Sequence, residues 1–350
     1  MEKGCEEMQY KVGLYGGCFN PLHLGHVDCI IKAASLCEEL YIVLCVSTVN
    51  EEAGCRLRYR WLYTLTKHIG NVKIIILYDD CKNKEDYTPE KAARDCEYIK
   101  KTVNKPIDAV FCGSDYDENS FWGTGYPESR LIRFERNGMS SSELRKNPYK
   151  HWDWIPQIAR PYFVKKVLIA GSESTGKSTL TINLASRFNT NYIDEAGREI
   201  SLRSGDDTLM LTEDYTEILL QHKLNEIEAM KHSNKVLFID TDALTTRFYL
   251  EFLDKETSEK NTALADSIDA LNSYDLILFL QPDVEFVQDG GRSEIIHSDR
   301  NKYSDMLKDI LKSRNKNFVC ISGDYNTRYL TAIKEVEKLF GYSPYGLCEE

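Results

Sequence analysis

The chain has 350 residues, 42% of them hydrophobic, and a formal net charge of −11. That length suits about two domains, each with enough apolar residues for its own core. The acidic balance argues against nucleic acid or an anionic membrane surface as the main partner, but not against small phosphate ligands, which are held by local backbone N–H groups and a few cations.

The first nine residues are acidic and have no apolar centre, so no secretory leader is expected. No apolar run approaches the roughly 20 residues of a membrane span. Residues 11–15 read as a short buried strand. Residues 23–35 read as a helix, with Val27, Ile30, Ile31 and Ala34 at helical spacing. A strand over 41–46, a helix over 57–68 and a strand over 72–77 follow. Then come a helix over 89–103, with Pro89 in its first turn, and a strand over 109–112. This alternation predicts an α/β fold with a parallel, doubly wound sheet.

Pro148, Pro156 and Pro161 punctuate residues 147–163, where Trp152 and Trp154 predict a packed connector. The domain boundary is placed near Arg160, giving domains over 1–160 and 161–350. The second half repeats the class with strands over 166–170, 191–194, 236–240, 276–280 and 318–321. Its helices are expected over 177–188, 212–232 and 326–340. The 11 cysteines form no Cys-x-x-Cys pair, which argues against a structural zinc site. Cys29, Cys37 and Cys45 sit in apolar runs and read as small buried hydrophobes of a reducing, cytoplasmic protein.

Two stretches carry chemistry. The first is Gly16-Gly17-Cys18-Phe19-Asn20-Pro21-Leu22-His23-Leu24-Gly25-His26. Glycines at a strand end let a phosphate approach the backbone, and the helix opening near His23 supplies free N–H donors. His23 and His26 share one helix face and can donate to a charge-rich phosphate in the transition state. A histidine pair alone would read as surface decoration. The full Gly-x-Phe-x-Pro-x-His-x-Gly-His spacing points instead to nucleotidyl transfer. It resembles the signature shared by pyridine-nucleotide, phosphopantetheine and glycerol-phosphate nucleotidyltransferases. That superfamily also carries a serine-rich helix start ending in Arg, here Met139-Ser140-Ser141-Ser142-Glu143-Leu144-Arg145. Ser140 and Glu143 also have capping-box spacing, and both readings can hold. The resemblance implies ATP contacts from Gly17, Cys18, Phe19, Ser140, Ser141 and Ser142, with Arg145 clamping the departing pyrophosphate. Such transfer needs no protein nucleophile, because a substrate phosphate oxygen attacks the α-phosphorus of ATP in line, with Mg2+ bridging the leaving oxygens.

The second stretch is Gly171-Ser172-Glu173-Ser174-Thr175-Gly176-Lys177-Ser178-Thr179, a Gly-x-x-x-x-Gly-Lys-Ser phosphate loop between a strand and a helix. Gly171, Ser174, Thr175, Gly176 and Thr179 belong to the cradle. Lys177 reaches the β and γ oxygens of ATP, and Ser178 ligates Mg2+. Val236-Leu237-Phe238-Ile239-Asp240 is an apolar strand ending in a carboxylate, so Asp240 is the second expected Mg2+ partner, with Asp242 nearby as a substrate contact. Glu195 and Arg198 follow the strand over 191–194. In kinases of small nucleosides, a carboxylate there orients or deprotonates the attacking hydroxyl; a solvated helix start is the competing reading. Asp289-Gly290-Gly291-Arg292 reads either as a lid, with Arg292 stabilising the transferred phosphoryl group, or as a plain loop.

The combination and order resemble the NadR family of bifunctional nicotinamide-mononucleotide adenylyltransferases and ribosylnicotinamide kinases, from about Lys11 to Gly341. The connector carries much of the likeness: Ser140 to Arg145, Asn147-Pro148-Tyr149-Lys150-His151-Trp152, Ile155-Pro156 and Pro161-Tyr162-Phe163. Arg58-Tyr59-Arg60-Trp61-Leu62, Glu195-Ala196-Gly197-Arg198-Glu199, Thr245-Thr246 and Tyr325-Asn326-Thr327-Arg328-Tyr329-Leu330 also fit. The resemblance implies two doubly wound domains, a Rossmann-like nucleotidyltransferase and a P-loop kinase. The kinase would phosphorylate ribosylnicotinamide, and the nucleotidyltransferase would join the product to AMP from ATP, giving NAD and pyrophosphate.

Some members begin with a helix-turn-helix arm; here the first strand opens near Lys11, so no nucleic-acid partner is expected. Cys18, Asn20 and Leu24 are nearer to stand-alone adenylyltransferases than to regulator-type members. Asp194 and Ala196 stand where the family commonly places aromatics, so stacking on a pyridine ring must come from elsewhere. Small-molecule substrates are the expected partners, and a homo-oligomer is compatible with the sequence. Two other readings stay open: the same chemistries on a phosphopantetheine-type or other nucleoside substrate, and an ATP- or NAD-sensing regulator with degenerate sites. Intact His23, His26, Lys177 and Ser178 oppose the second.

Overall fold

A computed structural model describes residues 9–47, 53–79, 87–114, 116–135, 138–204, 209–253, 258–288 and 292–343. The chain divides into two compact units, Met1–Ala159 and Arg160–Glu350.

The first unit runs β1 (Tyr10–Gly17), α1 (Leu24–Leu36), β2 (Cys37–Ser47), α2 (Cys55–Thr66), β3 (Val72–Asp79), α3 (Pro89–Val103), β4 (Ala109–Gly113), α4 (Phe121–Thr124), β5 (Arg130–Phe134) and α5 (Ser141–Lys146). All its strand pairs are parallel, in the order β3-β2-β1-β4-β5. The chain leaves β1 toward β2 and returns on its other side at β4. This reversal opens a crevice beyond the carboxyl ends of β1 and β4, where a doubly wound sheet binds ligands. Helix α3 has a defined start and stop: Thr88 accepts the Lys91 N–H at 3.4 Å, Pro89 occupies the first turn, and Asn104 ends the helix with φ of 50°. Its Cys96, Ile99 and Val103 pack on Val12, Leu14, Val43, Leu77 and Val110 across one sheet face.

The second unit runs β6 (Lys165–Gly171), α6 (Lys177–Arg187), β7 (Tyr192–Ile193), α7 (Ala196–Ser204), α8 (Thr212–Met230), β8 (Val236–Asp240), α9 (Ala243–Leu253), α10 (Ser258–Leu271), β9 (Leu276–Leu280), α11 (Glu294–Ser298), α12 (Arg300–Ser313), β10 (Val319–Ile321) and α13 (Tyr325–Lys338). Its parallel sheet has the order β10-β9-β6-β8-β7. Central β6 is buried over Val167, Leu168, Ile169 and Ala170, and its carboxyl end delivers the phosphate loop.

Two doubly wound α/β layers are what the sequence predicts, but several elements differ. Strand β5 reads Arg-Leu-Ile-Arg-Phe and lies at the sheet edge, where its arginines mask the alternation expected of a strand. Helix α4 is a single turn. Helix α9 buries Leu244, Phe248 and Leu250 with polar residues between them, so its apolar period is blurred. Helix α12 does carry a legible stripe at Ser304, Leu307, Ile310 and Leu311, all buried. Among the described residues no helix is long and apolar enough to cross a membrane.

Candidate active sites

The first site grows from the end of β1. Gly16 lies beneath Trp122 of α4, and a Cβ there would fall 2.0 Å from the indole ring. A Cβ on Gly17 would meet the Phe19 ring at 3.3 Å. Aromatic packing therefore demands glycine at position 16, a reason distinct from phosphate approach, and leaves only a tight fit for a side chain at Gly17. Phe19 takes a φ of 49°, which turns the chain out of the strand. Its ring is buried against Tyr15 and His26, at 6.0 and 5.0 Å between centroids, so only its backbone is offered to a ligand. The Cys18 side chain is exposed.

His23 caps α1 with extended backbone, and His26 Nδ1 accepts the His23 N–H at 3.4 Å. The two imidazoles stack at 3.7 Å between centroids. Gly25 leaves room for this pair, since a Cβ there would lie 3.1 Å from the His23 ring. The serine-rich helix α5 comes to the same loop. Ser141 Oγ donates to the Pro21 carbonyl at 3.1 Å. The Arg145 guanidinium donates to the Asn20 carbonyl and, at 3.1 Å, to Ser142 Oγ. Ser140 accepts the Glu143 N–H at 3.1 Å and caps the helix. The structure thus brings the serine-rich helix start, Met139–Arg145, to the loop of the His23–His26 motif.

Arg58 was legible only as part of a family string. It is almost fully buried, and its Nη1 donates to the Cys18 and Cys45 carbonyls at 2.6 and 3.1 Å. The phosphate-handling loop is therefore fixed from behind by a cation bonded to main chain.

The second site is a cavity of about 360 Å³ at the end of β6. Ser174, Thr175, Gly176, Lys177, Ser178, Thr179, Glu195, Arg198, Asp242 and Arg292 all line it. Gly171 stands behind, with φ of 148° and the Leu280 carbonyl 2.8 Å from where its Cβ would be. Gly176, at φ 85°, caps α6. Lys177 Nζ donates to the Ser172 carbonyl at 3.1 Å. Arg198 Nη2 donates to Ser178 Oγ at 3.4 Å and lies 4.0 Å from Glu195 Oε2.

Asp240 is 1% exposed, and neither carboxylate oxygen has a hydrogen-bond partner. Burial, with the Glu195 charge adding to it, pushes this carboxyl up to about 6, against Lys177, Ser178 and Arg198, which hold it down. An unpartnered buried carboxylate beside a P-loop serine and lysine fits a divalent cation such as Mg2+, completed by phosphate and water oxygens. Asp242 is also pushed up to about 6 by burial. Its Oδ1 accepts the Leu244 and Thr245 N–H groups at 3.1 and 3.3 Å, so it caps α9 while lining the cavity.

Asp289, Gly290 and Gly291 lie outside the described residues. The chain on either side of them is fastened to the phosphate loop. The Val287 N–H and Arg292 Nη1 both donate to Ser174 Oγ at 2.8 Å. Glu173 accepts the Ser293 N–H and the Tyr249 hydroxyl, each at 2.9 Å. Arg328, another residue given no role from sequence, is 2% exposed beneath the loop. It donates to the carbonyls of Thr175 at 2.5 Å, Gly323 at 2.7 Å and Gln281 at 2.8 Å, and pairs with Asp283. Side-chain type cannot separate a buried arginine of this kind from a surface one, so only its family context marked it.

Residues 14–147 match the Cytidylyltransferase-like family and residues 166–328 the AAA domain family. The trifunctional NAD biosynthesis/regulator protein NadR of Escherichia coli strain K12 is 31% identical over 351 aligned positions, covering 94% of this chain and 83% of that protein. A crystal structure of NadR protein in complex with NR superposes with a TM-score of 0.81 at 23% identity, covering 97% of this chain and 98% of that one. Another, in complex with NAD and AMP-PNP, gives 0.78 over the same shares at 23% identity. With both sheets matched and identity sustained along nearly the whole length, the chain belongs to the NadR family.

Proposed function

We propose that the chain is a two-step NAD salvage enzyme: the unit from Arg160 phosphorylates ribosylnicotinamide with ATP, and the unit up to Ala159 adenylylates the resulting mononucleotide. The observation that carries this reading is the convergence of Lys177, Ser178, Glu195 and Arg198 on one cavity, with the buried Asp240 carboxylate next to Ser178 and Lys177. Relatives of the same fold that hold NR, or NAD with AMP-PNP, support it.

In the kinase step, P-loop N–H groups and Lys177 hold the β and γ phosphates of ATP. Mg2+, held by Ser178 and Asp240, would neutralise charge between those phosphates. Glu195 orients the nucleoside 5′-hydroxyl and takes its proton, while Arg198 and Arg292 stabilise charge on the phosphoryl group in transfer. Asp242 helps shape the substrate wall. Tyr215 and Tyr249 also line the cavity and supply the aromatic surface that Asp194 and Ala196 do not.

In the adenylyl step, Gly17, Cys18 and Phe19 offer main chain to ATP, and Ser140, Ser141 and Ser142 bring hydroxyls to its phosphates. His23 and His26 donate to the α-phosphate as charge builds there, and Arg145 clamps the departing pyrophosphate. The partners are small molecules. The buried thiols of Cys37, Cys96 and Cys112 suit a reducing, cytoplasmic setting. Purified protein supplied with ribosylnicotinamide, ATP and Mg2+ should yield ADP, then pyrophosphate and NAD. Supplied with nicotinamide mononucleotide, it should yield pyrophosphate and NAD without ADP. Absence of both products defeats the assignment.

A further inference from the structure

Three cations that line the kinase cavity are held at the phosphate loop. Lys177 donates to the Ser172 carbonyl at 3.1 Å, Arg198 to Ser178 Oγ at 3.4 Å and Arg292 to Ser174 Oγ at 2.8 Å. A different part of the lining, from Leu202, Met210, Tyr215 and Ile218, is apolar or aromatic. One carboxylate assembles it. Asp214 Oδ1 accepts from Arg203 Nη2 at 3.0 Å, and its Oδ2 accepts the Leu211 N–H at 2.8 Å. Glu217 adds a bond to the same guanidinium nitrogen at 2.6 Å. The end of α7 is thereby tied to the start of α8. Leu202 and Met210, each one residue before a tied residue, come to the same mouth of the cavity.

Leu202 is 58% exposed although it lines the cavity. An apolar side chain placed so gains when a ligand covers it. Helix α7 also sets a distance. It starts at Ala196, directly after Glu195, and its Arg198 and Leu202 share one face. At the helical rise, Leu202 lies about 9 Å beyond Ala196. In a nucleoside the base is joined to the far side of the ribose from the 5′-hydroxyl. With that hydroxyl at Glu195, the base extends toward Leu202. We propose that Leu202 and Met210 hold the base of the phosphoryl acceptor, and so select a nucleoside over a free sugar by apolar contact. This inference rests on the kinase reading above.

The test compares Leu202→Ser and Leu202→Met with the wild-type protein, using ribosylnicotinamide and ATP. Loss of the covered leucine should raise the nucleoside KM about tenfold in Leu202→Ser. Leu202→Met stays apolar and should keep a KM near the wild-type value. The KM for ATP and the adenylyl transfer rate should not change. An unchanged nucleoside KM in Leu202→Ser overturns the proposal, as does an equal rise in the KM for ATP. A second measurement uses wild-type protein with isotope-labelled methionine methyl groups and bound AMP-PNP, the Met210 resonance being assigned through Met210→Leu. That resonance should shift when ribosylnicotinamide is added, because an aromatic ring comes beside it, and should stay in place when ribose is added. A Met210 signal that ignores the nucleoside, or moves as far with ribose, overturns the proposal while leaving kinase activity intact. A wild-type protein that phosphorylates no nucleoside defeats the kinase reading itself, and the proposal with it.

Discussion

Arg328 reaches the Thr175 carbonyl from beneath the phosphate loop at 2.5 Å, and the same guanidinium gathers the carbonyls of Gly323 and Gln281. A buried cation thus sets the curvature of a loop that it does not belong to. Arg328→Met would leave three carbonyls and the Asp283 carboxylate without it. Asp283 is 40% exposed and loses little, but each hydrogen bond from a charged donor to a buried carbonyl is worth about 1.5–3 kcal/mol. Thermal unfolding should show that loss. Arg328→Lys, with one ammonium in place of a fork, should fold and show a raised KM for ATP in the kinase assay. A lysine variant with wild-type ATP kinetics would contradict this role.

The two chemistries separate by substitution. Lys177→Ala should remove phosphorylation and spare adenylyl transfer, and His26→Ala should do the reverse. Each loses charge stabilisation at one site, commonly about 2.7–4 kcal/mol of barrier, or 10²–10³ in rate. The two activities are read separately as ADP and pyrophosphate release. One substitution that silences both in a folded protein would sink the two-site reading.

Asp240 should make the ligand-free protein less stable at neutral pH. Its carboxyl is raised to about 6, above the ordinary aspartate value. The folded state therefore binds its proton more tightly than the unfolded chain does. From this group alone, stability is greatest below pH about 4 and falls as pH rises toward 6, with no further change above that. Asp240→Asn should raise the thermal midpoint at pH 7 without ligand while abolishing phosphorylation. The gain over wild type should shrink as pH drops through that window. A midpoint difference that does not vary with pH would place the cost elsewhere.

Gly16 is predicted to tolerate no side chain. A methyl group at Gly16→Ala would sit 2.0 Å from the Trp122 ring, and forced overpacking costs about 1–3 kcal/mol. Adenylyl transfer should fall with stability, because the displaced strand end carries the loop. Trp122→Leu combined with Gly16→Ala should recover part of the lost midpoint. If the double variant is no better than the single, the clash is not the cause.

Much of the fold was legible because its strands are buried on both faces and bounded by turn residues. Val236–Asp240 and Leu276–Leu280 are such runs, and Pro89–Val103 is a helix with a proline at its start and an αL asparagine beyond its end. The edge strand Arg130–Phe134 escaped because only part of it meets the core. At the sites, spacing alone marked His23, His26, Lys177, Ser178 and Asp240. The cavity wall given by Tyr215, Ile218 and His222 stayed hidden because these residues lie within a long helix and only the folded chain brings them beside the phosphate loop.

The paired arginines have a wider consequence. Arg58 and Arg328 are both buried almost completely, and each is tied to main-chain oxygens behind a phosphate loop. A guanidinium keeps its charge inside a protein. Arg58 therefore puts a fixed positive charge behind its loop before any ligand arrives, screened by salt far less than a surface lysine would be, while Arg328 shares its charge with Asp283. A protein with net charge −11 repels anions at long range, so the cations gathered at each loop, Arg58 and Arg145 at one and Lys177, Arg198 and Arg292 at the other, turn that repulsion into attraction only within the last few ångströms. Polyanions would be turned away at a distance, while a compact nucleotide that reaches either loop is drawn in.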